Sequence, residues 1–415
     1  MRLAVVGHTY VVAQNQEKYV AMRRLDPTLE LRIVVPRRVR RDAFGHDDSL
    51  ERHAQLTGRE IVPLGTALGR SHVTAVYDPL GMARVFARFR PDVIHIEEEP
   101  QSVVTLEAVL ARAAFAPHAA LTIFTWDNLL RRRRFPLSAV KGALRRFTLR
   151  RADILLCGNR DAQTLAHNES RVASARARTQ VRTQVVPQLG LDPAAHAPGT
   201  EPELRRELGI RESAVVVGYA GRLVPEKGVG LLCEALASLA GRPWQLLLVG
   251  SGPLEREIRE KWIARFPGRI VHVPGVAHRE VPRYLRCADI FVLISYTVPT
   301  WKEQFGLTLA QAMMLGIPSI VSSSGALPEV AEDAAVIVSE RDLRELEAAL
   351  EALIASPGLR RDLGSRARAR ALRLYTNDVV AARTYEAFEQ AIARRTGSPA
   401  QSQLSQQECD RGIDS

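Results

Sequence analysis

The chain has 415 residues, of which 46% are hydrophobic and 25% charged; this is the composition of a folded globular protein and excludes an intrinsically disordered one. This length exceeds what one hydrophobic core usually supports, so we expect two domains. No apolar run approaches the roughly 20 residues of a membrane-spanning helix, and the N-terminus turns polar too early for a secretion signal, so the sequence predicts a cytoplasmic protein.

The net charge of +11 comes from the first half of the chain. Residues 1–190 contain 30 Lys and Arg against 18 Asp and Glu, whereas the remainder contains 27 against 28. A basic half beside a neutral half suits an anionic acceptor, or peripheral contact with the inner face of a membrane, as well as it suits nucleic acid. The sequence shows no basic motif with interleaved aromatic residues, so we expect no nucleic-acid partner.

Short apolar runs alternate with helical patterns along the chain. The first half contains LAVVG, LRIVVP, DVIHIE, LTIFTW, DILLCGN and TQVVPQ, and after about residue 205 follow AVVVGYAGR, WQLLLVGSG, IVHVPG, IFVLIS, IPSIVSS and AAVIVS. Continuous Val, Ile and Leu runs are typical of parallel strands covered on both faces, and their alternation with helices indicates βαβ units. The sequence therefore predicts an α/β protein with two doubly wound, Rossmann-like domains facing across a cleft, with ligands at the carboxyl ends of the strands.

A segment with Pro and Gly, residues 190–210, separates the two sets of strands. We therefore predict an N-terminal Rossmann-like domain over 1–195 and a C-terminal Rossmann-like domain over 196–375. A helical pattern over 376–395 could pack back on the N-terminal domain. The polar, nonperiodic residues 396–415 predict a disordered tail.

Polar side chains follow several of the predicted N-terminal strands, and we take them as candidates for ligand contacts at the ends of these strands. They are His8, Glu99, Trp126, Asp127 and Asn159. A structural role in the turn is the alternative for His8. For the acidic trio of Glu97, Glu98 and Glu99 we expect a solvated rim rather than a catalytic role.

Residues 124–151 combine the basic run Arg131–Arg134 with apolar residues at helical spacing, namely Leu137, Val140, Leu144 and Phe147. This segment could lie on anionic lipid. The alternative is a core helix with a charged outer face.

The second half begins with GYAGRLVPEKG, which places Gly221, Arg222 and Lys227 just after a strand and at the start of a helix. Both cations could face one polyanion there, although solvated surface charges are the alternative. The next strand ends in Gly250-Ser251-Gly252, which either lets a nucleotide approach the backbone or forms an ordinary turn. Neither site is GxGxxG, which counts against a dinucleotide oxidoreductase.

The stretch TWKEQFGLTLAQAM predicts a helix over about 307–315 that ends at Gly316. A rise of about 1.5 Å per residue separates Glu303 and Gln311 by on the order of 10 Å, so each could contact a separate part of one ligand. His46–Asp48 is not a DxD metal motif, and a solvated loop explains it more simply.

Five ordered motifs, GYAGRLVPEKG, LLLVGSGP, PGV, ADIFVLIS and EQFGLTLAQAMMLGIPSIVSSSGALPE, together resemble the donor domain of group 1 (family 4 type) retaining glycosyltransferases of the GT-B fold. The resemblance implies that Arg222 and Lys227 neutralise the donor diphosphate and that Glu303 binds hydroxyls of the transferred sugar. It further implies donor contacts by Phe305, Gly306 and Leu307 through backbone amides, by Gly252 in the nucleotide pocket, and by Gly275 and Val276 near the base.

The sequence departs from that family in three places. Gln311 stands where the family usually has a second Glu, and a neutral amide binds a ribose diol less strongly than a carboxylate does. The gap from Ser295 to Glu303 is longer and contains YTVPTWK. The N-terminal half lacks the usual glycine pair, and Trp126 occupies the position of a His.

The resemblance implies sugar transfer with retention from a nucleoside diphosphate sugar to a glycan, lipid-linked or phosphorylated acceptor in cell-surface polysaccharide or glycolipid synthesis. The leaving phosphate would help to deprotonate the acceptor, and neither a metal ion nor a cofactor is required. The alternative is a catalytically silent sugar-nucleotide-binding paralogue or partner subunit.

Overall fold

A computed structural model describes residues 1–37, 50–67, 74–129, 137–173 and 181–397. The chain divides into one unit of Met1–Gly190 with Asn377 onward and a second unit of Leu191–Thr376. Three sequence features lie outside the described residues: His46–Asp48, the run Arg131–Arg134, and the predicted tail after residue 397.

The first unit contains a seven-stranded parallel sheet of β1 (Arg2–Val6), β2 (Glu30–Pro36), β3 (Ile61–Leu64), β6 (Val93–Ile96), β7 (Ala120–Thr125), β8 (Ile154–Cys157) and β9 (Arg182–Val185). β4 (Thr66–Ala67) and β5 (Val76–Tyr77) form a separate antiparallel pair. The order of the strands in the parallel sheet is β3-β2-β1-β6-β7-β8-β9. The sequence analysis missed β3, because the run IVPL is short and interrupted by Pro63.

Within the described residues, the helices that connect these strands are α1 (Glu17–Leu25), α2 (Pro79–Phe89), α3 (Val103–Phe115), α4 (Leu137–Leu149) and α5 (Arg160–Ala173). Two short 3-10 turns, His8–Val11 and Ala13–Gln16, follow β1. In α4, Leu149 is buried and Phe147 packs against the core, whereas Val140 is exposed. The described apolar residues of α4 are thus divided between the core and the surface, and lipid contact by this segment stays a prediction.

The second unit contains a six-stranded parallel sheet in the order β12-β11-β10-β13-β14-β15. The strands are β10 (Val215–Ala220), β11 (Trp244–Val249), β12 (Ile270–Val273), β13 (Ile290–Leu293), β14 (Ser319–Ser322) and β15 (Val336–Val338). The order changes direction at β10, with β11 on one side and β13 on the other. In doubly wound sheets, ligands bind at the carboxyl ends of strands beside such a switch point.

The helices of the second unit are α6 (Pro202–Glu207), α7 (Val229–Ser238), α8 (Glu255–Glu257, continued by a π-helical turn at Ile258–Ile263), α9 (Val281–Leu285), α10 (Leu307–Met314), α11 (Leu327–Ala331), α12 (Leu343–Ala355) and α13 (Pro357–Leu374). Single 3-10 turns occur at Pro225–Lys227, His278–Glu280 and Glu332–Ala334. The helix predicted over about 307–315 is α10, and it ends one residue earlier than predicted.

The C-terminal helix α14 (Asn377–Thr396) belongs to the first unit and packs against α1 and β7. Its buried residues Val380, Phe388 and Ala391 complete an apolar core that includes Tyr19 and Ile33. One face of the first sheet is therefore covered by the far end of the chain.

Candidate functional site

The two glycine-containing turns after β10 and β11 lie backbone to backbone. A Cβ added to Gly250, whose φ is 144°, would stand 1.9 Å from the Gly221 carbonyl oxygen, and a Cβ on Gly252 would stand 2.4 Å from that of Leu223. The Leu223 amide donates to the carbonyl of Ser251 at 3.0 Å, which holds the turns together. Only glycine permits this approach, so Gly250 and Gly252 have a packing role beside any ligand contact.

The turn after β12 joins the same edge of the sheet. The amide of Gly275 donates to Ser251 Oγ at 2.9 Å, and His272 Nε2 lies 2.9 Å from the Gly250 carbonyl oxygen. Gly275 is exposed and Val276 is partly buried. The proposed base contacts thus lie next to the Gly-Ser-Gly turn.

The ammonium of Lys227 and the carboxylate of Glu303 form an ion pair. Lys227 Nζ lies 2.5 Å from Glu303 Oε2, and Ser295 Oγ donates to the same oxygen at 2.7 Å. The side chains are 13% and 8% exposed, so little water screens the attraction. Two residues that the resemblance assigns to different parts of a donor are therefore in direct contact here.

The backbone of Glu303 is held against the connection that follows β14. Its carbonyl oxygen accepts from the Ala326 amide at 3.1 Å, and a Cβ on Gly325, at φ 52°, would stand 2.0 Å from that oxygen. This close contact fixes the backbone of Glu303 just before α10 begins.

Arg222 follows the β10 turn with a partly buried side chain. Its carbonyl oxygen accepts from the Tyr219 hydroxyl at 2.6 Å. Burial, reinforced by the charge of Glu303, raises the pKa of Tyr219, so this phenol stays a neutral donor.

Helix α10 begins four residues beyond Glu303. Gly306 is the N-cap residue of this helix, with a φ of 79°. Phe305 is buried, and its ring packs edge-on against the ring of Tyr375 with 5.5 Å between the ring centroids. The first amides of a helix lack intrahelical acceptors and favour anions. The amides of Phe305, Gly306 and Leu307 are thus at a suitable place for phosphate, while their contact with a donor stays a prediction.

Gln311 is fully buried, and its nearest polar partner is His196, from the predicted linker. Gln311 Nε2 lies 3.4 Å from His196 Nε2, and Gln311 Oε1 is buried without a hydrogen-bond partner. His196 Nδ1 lies 2.9 Å from the Asp192 carbonyl oxygen, which can only accept, so Nδ1 holds the proton and Nε2 accepts from Gln311. Burial lowers the pKa of His196, which keeps the imidazole neutral.

In the first unit, His8 pairs with Glu98. Glu98 Oε1 accepts from the His8 amide at 2.8 Å and lies 2.7 Å from His8 Nδ1. The carboxylate is 1% exposed and the imidazole 30% exposed. An Nδ1 proton donated to Glu98 leaves Nε2 as the acceptor nitrogen.

The expectation of a solvated acidic rim is wrong for Glu97 and Glu98, both of which are buried. Glu97 forms an ion pair with the buried Lys18, accepts from Tyr19 Oη at 2.6 Å and lies 3.0 Å from His95 Nε2. Burial alone would raise the pKa of Glu97, but the Lys18 charge and the hydrogen bonds hold it below its usual range. No sequence pattern singled out Lys18, because a lysine in a polar helical turn is expected at the surface.

Glu99 is partly buried and lies with Trp126 and Asp127 in one cluster. It accepts from Thr125 Oγ1 at 2.7 Å and from the Trp126 amide at 3.0 Å. Burial, with the nearby charge of Asp127, raises the pKa of Glu99 to about 7. Arg145, buried in α4, reaches Asp127 at 3.4 Å.

The side chains of Trp126 and Asn159 both contact other residues of the first unit. Trp126 Nε1 donates to Gln188 at 2.8 Å, and the indole covers Gly158 so closely that a Cβ there would stand 2.1 Å from it. Asn159 is buried, and its Oδ1 accepts from the Ala162 amide at 2.8 Å in the first turn of α5. This contact is helix capping, a structural role that the sequence analysis did not consider.

Residues 200–370 match the protein-family model described as glycosyl transferases group 1. This part of the chain is a group 1 glycosyltransferase domain. It contains Arg222, Lys227, Glu303 and Gln311, so the resemblance of the five motifs to group 1 glycosyltransferases is confirmed, while the family 4 type and retention stay predictions.

Curated relatives match about half of the chain. An MMP alpha-(1->4)-mannosyltransferase of Mycolicibacterium hassiacum is 35% identical over 51% of this chain and 49% of its own length. A D-inositol 3-phosphate glycosyltransferase of Geodermatophilus obscurus is 33% identical over 52% of this chain and 50% of its own. The chain thus spans about half the length of these relatives.

The likeness to solved structures covers nearly the whole chain. The Anabaena protein HepE, solved in complex with UDP, has a TM-score of 0.67 at 18% identity, over 93% of this chain and 99% of HepE. Together with the two parallel sheets, this likeness confirms the prediction of a GT-B glycosyltransferase fold.

Two further observations concern the membrane and metal ions. No helix within the described ranges is long and apolar enough to cross a bilayer. The same ranges contain no cluster of three or more His, Cys, Asp or Glu side chains arranged to bind a metal ion. Cytoplasmic location, membrane contact and metal independence stay predictions.

Proposed function

We propose that this chain transfers a sugar, with retention, from a nucleoside diphosphate sugar to a hydroxyl group of a glycan, lipid-linked or phosphorylated acceptor. The single observation that supports it most is the Lys227–Glu303 ion pair beside the N-terminus of α10, inside the group 1 glycosyltransferase domain. A cation, a hydroxyl-binding carboxylate and helix amides are what a diphosphate sugar requires.

In this reaction the bond between the anomeric carbon and the diphosphate oxygen breaks, and a bond from that carbon to the acceptor oxygen forms. The acceptor hydroxyl proton passes to the leaving phosphate. Arg222, Lys227 and the amides at the start of α10 stabilise the charge that grows on the diphosphate, while Glu303 orients the sugar through its hydroxyls. A nucleophilic carboxylate is not needed.

Binding of the acceptor is proposed for the first unit, where His8 presents a ring held by Glu98. The named relatives support a sugar donor and, for the D-inositol 3-phosphate enzyme, a phosphorylated acceptor. The basic character of residues 1–190 suits such an anion. Cell-surface polysaccharide or glycolipid synthesis is the process that we propose on the family resemblance.

The test is transfer by the purified chain. It is incubated with UDP-glucose or GDP-mannose and a panel of phosphorylated and glycan acceptors, and release of the nucleoside diphosphate is followed, with the anomeric configuration of the product read by NMR. We expect acceptor-dependent release and a retained configuration. A product of inverted configuration would contradict retention, and absence of nucleotide binding would contradict the proposal as a whole.

A silent sugar-nucleotide-binding paralogue is the second candidate, and one observation favours it. Gln311, at the position of the usual second Glu, is fully buried against His196. Tight binding of a nucleotide sugar without transfer or hydrolysis, for every acceptor in the panel, would select this candidate.

A further inference from the structure

The segment Tyr296–Lys302, which lengthens the gap before Glu303, forms a tight hairpin. The Val298 amide donates to the Trp301 carbonyl at 2.8 Å, and the Trp301 amide donates back to the Val298 carbonyl at 3.1 Å. Pro299 and Thr300 make the turn between them. Two reciprocal hydrogen bonds close the loop into a defined shape.

The 296–302 hairpin is anchored on two sides. The Tyr296 amide donates to the Glu226 carbonyl at 2.9 Å, next to Lys227. The amide and the hydroxyl of Thr297 each donate to the Glu340 carboxylate at 2.7 Å. Anchors on the turn after β10 and on the loop after β15 hold the backbone of the hairpin in place before any ligand binds.

The hairpin places Trp301 beside the charged pair. Lys227 Nζ lies 4.7 Å from the centroid of the Trp301 ring and 2.5 Å from Glu303 Oε2. Trp301 is only partly buried. A flat apolar ring, an ammonium and a carboxylate thus occupy one small site.

This combination matches a pyranose attached to a diphosphate. A pyranose presents C–H groups on its faces and hydroxyls around its edge, so a carboxylate binds the edge while an aromatic ring covers a face. The ammonium, which is close to both the ring and the carboxylate, suits the adjoining phosphate. Pyranoses differ in which hydroxyls stand up from the face, so a stacked indole discriminates among them.

We propose that Trp301 is a specificity-determining residue that stacks on the transferred sugar of the donor. The inference rests on the proposed function and deepens it, because it assigns a role to the inserted hairpin. It differs from a role in which the indole merely orders Lys227 by a cation–π contact. In that case the loss of Trp301 would weaken nucleoside diphosphate and nucleoside diphosphate sugar alike.

The test compares the two kinds of ligand by titration calorimetry. Wild type, Trp301→Ala and Trp301→Phe are titrated with UDP, UDP-glucose, GDP and GDP-mannose. We expect Trp301→Ala to weaken the affinity for the sugar nucleotide about tenfold and to change the affinity for the matching diphosphate by no more than about twofold. Trp301→Phe should recover most of the lost affinity.

Fluorescence supplies a second readout on folded protein. Binding of the sugar nucleotide should change the tryptophan emission of wild type and of Trp262→Phe, whose indole is buried elsewhere in this unit, but not that of Trp301→Phe. An equal loss for diphosphate and sugar nucleotide in Trp301→Ala, or no loss for either, would overturn the inference and leave the proposed function standing. If wild type binds none of the four ligands, the proposed function fails and the inference fails with it.

Discussion

His196 and Gln311 form a neutral hydrogen-bonded pair, with the amide nitrogen 3.4 Å from an imidazole nitrogen that can only accept. A carboxylate at position 311 cannot donate to that nitrogen. The amide therefore suits this partner, and the departure from the usual second Glu is accompanied by a second residue that fits it.

The first prediction concerns Gln311→Glu. The variant brings a carboxylate against His196, whose folded-state pKa then rises above its unfolded value because the proton gains a charged partner. The contribution of this pair to stability is present below the unfolded pKa of about 6.5 and is lost as pH rises through the raised folded value. Thermal unfolding should show that the free energy of unfolding of Gln311→Glu is about 2 kcal/mol below that of wild type at pH 9, and that the difference is smaller at pH 6.

Gln311→Met is the matched control for this effect, because it keeps the volume and cannot titrate. Its loss of stability should be the same at both pH values. If the loss of stability in Gln311→Glu does not depend on pH, the titration of His196 beside the new carboxylate does not contribute to it.

The second prediction concerns Lys227→Met. Removing the ammonium deprives a diphosphate of a cation and takes the paired positive charge away from the Glu303 carboxylate, which still accepts from the Ser295 hydroxyl. Donor binding should weaken at least about tenfold and the free energy of unfolding should fall by about 2 kcal/mol.

Lys261→Met is the control for Lys227→Met, since Lys261 is half-exposed and pairs with Glu257 on the helix surface. Calorimetry should find its donor affinity unchanged. Unchanged affinity in Lys227→Met as well would remove Lys227 from the diphosphate site.

The third prediction concerns Glu98→Gln. The neutral amide replaces the charged acceptor of His8 Nδ1 and can also present a donor to it. The tautomer and the position of the His8 ring are therefore no longer fixed. We expect the KM for the acceptor to rise about tenfold while the Kd for the donor is unchanged. His8→Ala should change the same constant. Equal changes in donor and acceptor constants would indicate a general loss of structure.

The fourth prediction uses the raised pKa of Glu99, about 7. The folded state retains this proton above the unfolded pKa of about 4.3, so stability decreases as pH rises from there to about 7. In Glu99→Gln this decrease disappears. Between pH 5 and pH 8 the free energy of unfolding of the variant should therefore rise by on the order of 2 kcal/mol relative to that of wild type. Thermal unfolding across this range measures it, and parallel curves for the two proteins would contradict the assignment.

The fifth prediction concerns metal ions. Since Lys227, Arg222 and helix amides are proposed to stabilise the leaving diphosphate, transfer should continue in EDTA and should not need added Mg²⁺ or Mn²⁺. A loss of turnover in EDTA that returns with one of these ions would show that a metal ion shares this task.

The sequence by itself determined the alternation of strands and helices, the helix that begins at Leu307 and the family of residues 200–370. These features depend on local periodicity and on motifs whose residues are close in the chain. It missed β3, where Pro63 interrupts a short run, and it placed Glu97 and Glu98 at a rim although both are buried.

Only the tertiary structure decided which charges and hydrogen-bonding groups meet. His196 and Gln311 are 115 residues apart, Lys18 and Glu97 are 79 apart, and Lys227 and Glu303 are 76 apart. No local pattern links such residues, because strand order and the packing of turns at the sheet edge bring them together. Burial then fixes their protonation, since a charge is retained in the interior only where a partner compensates its lost hydration.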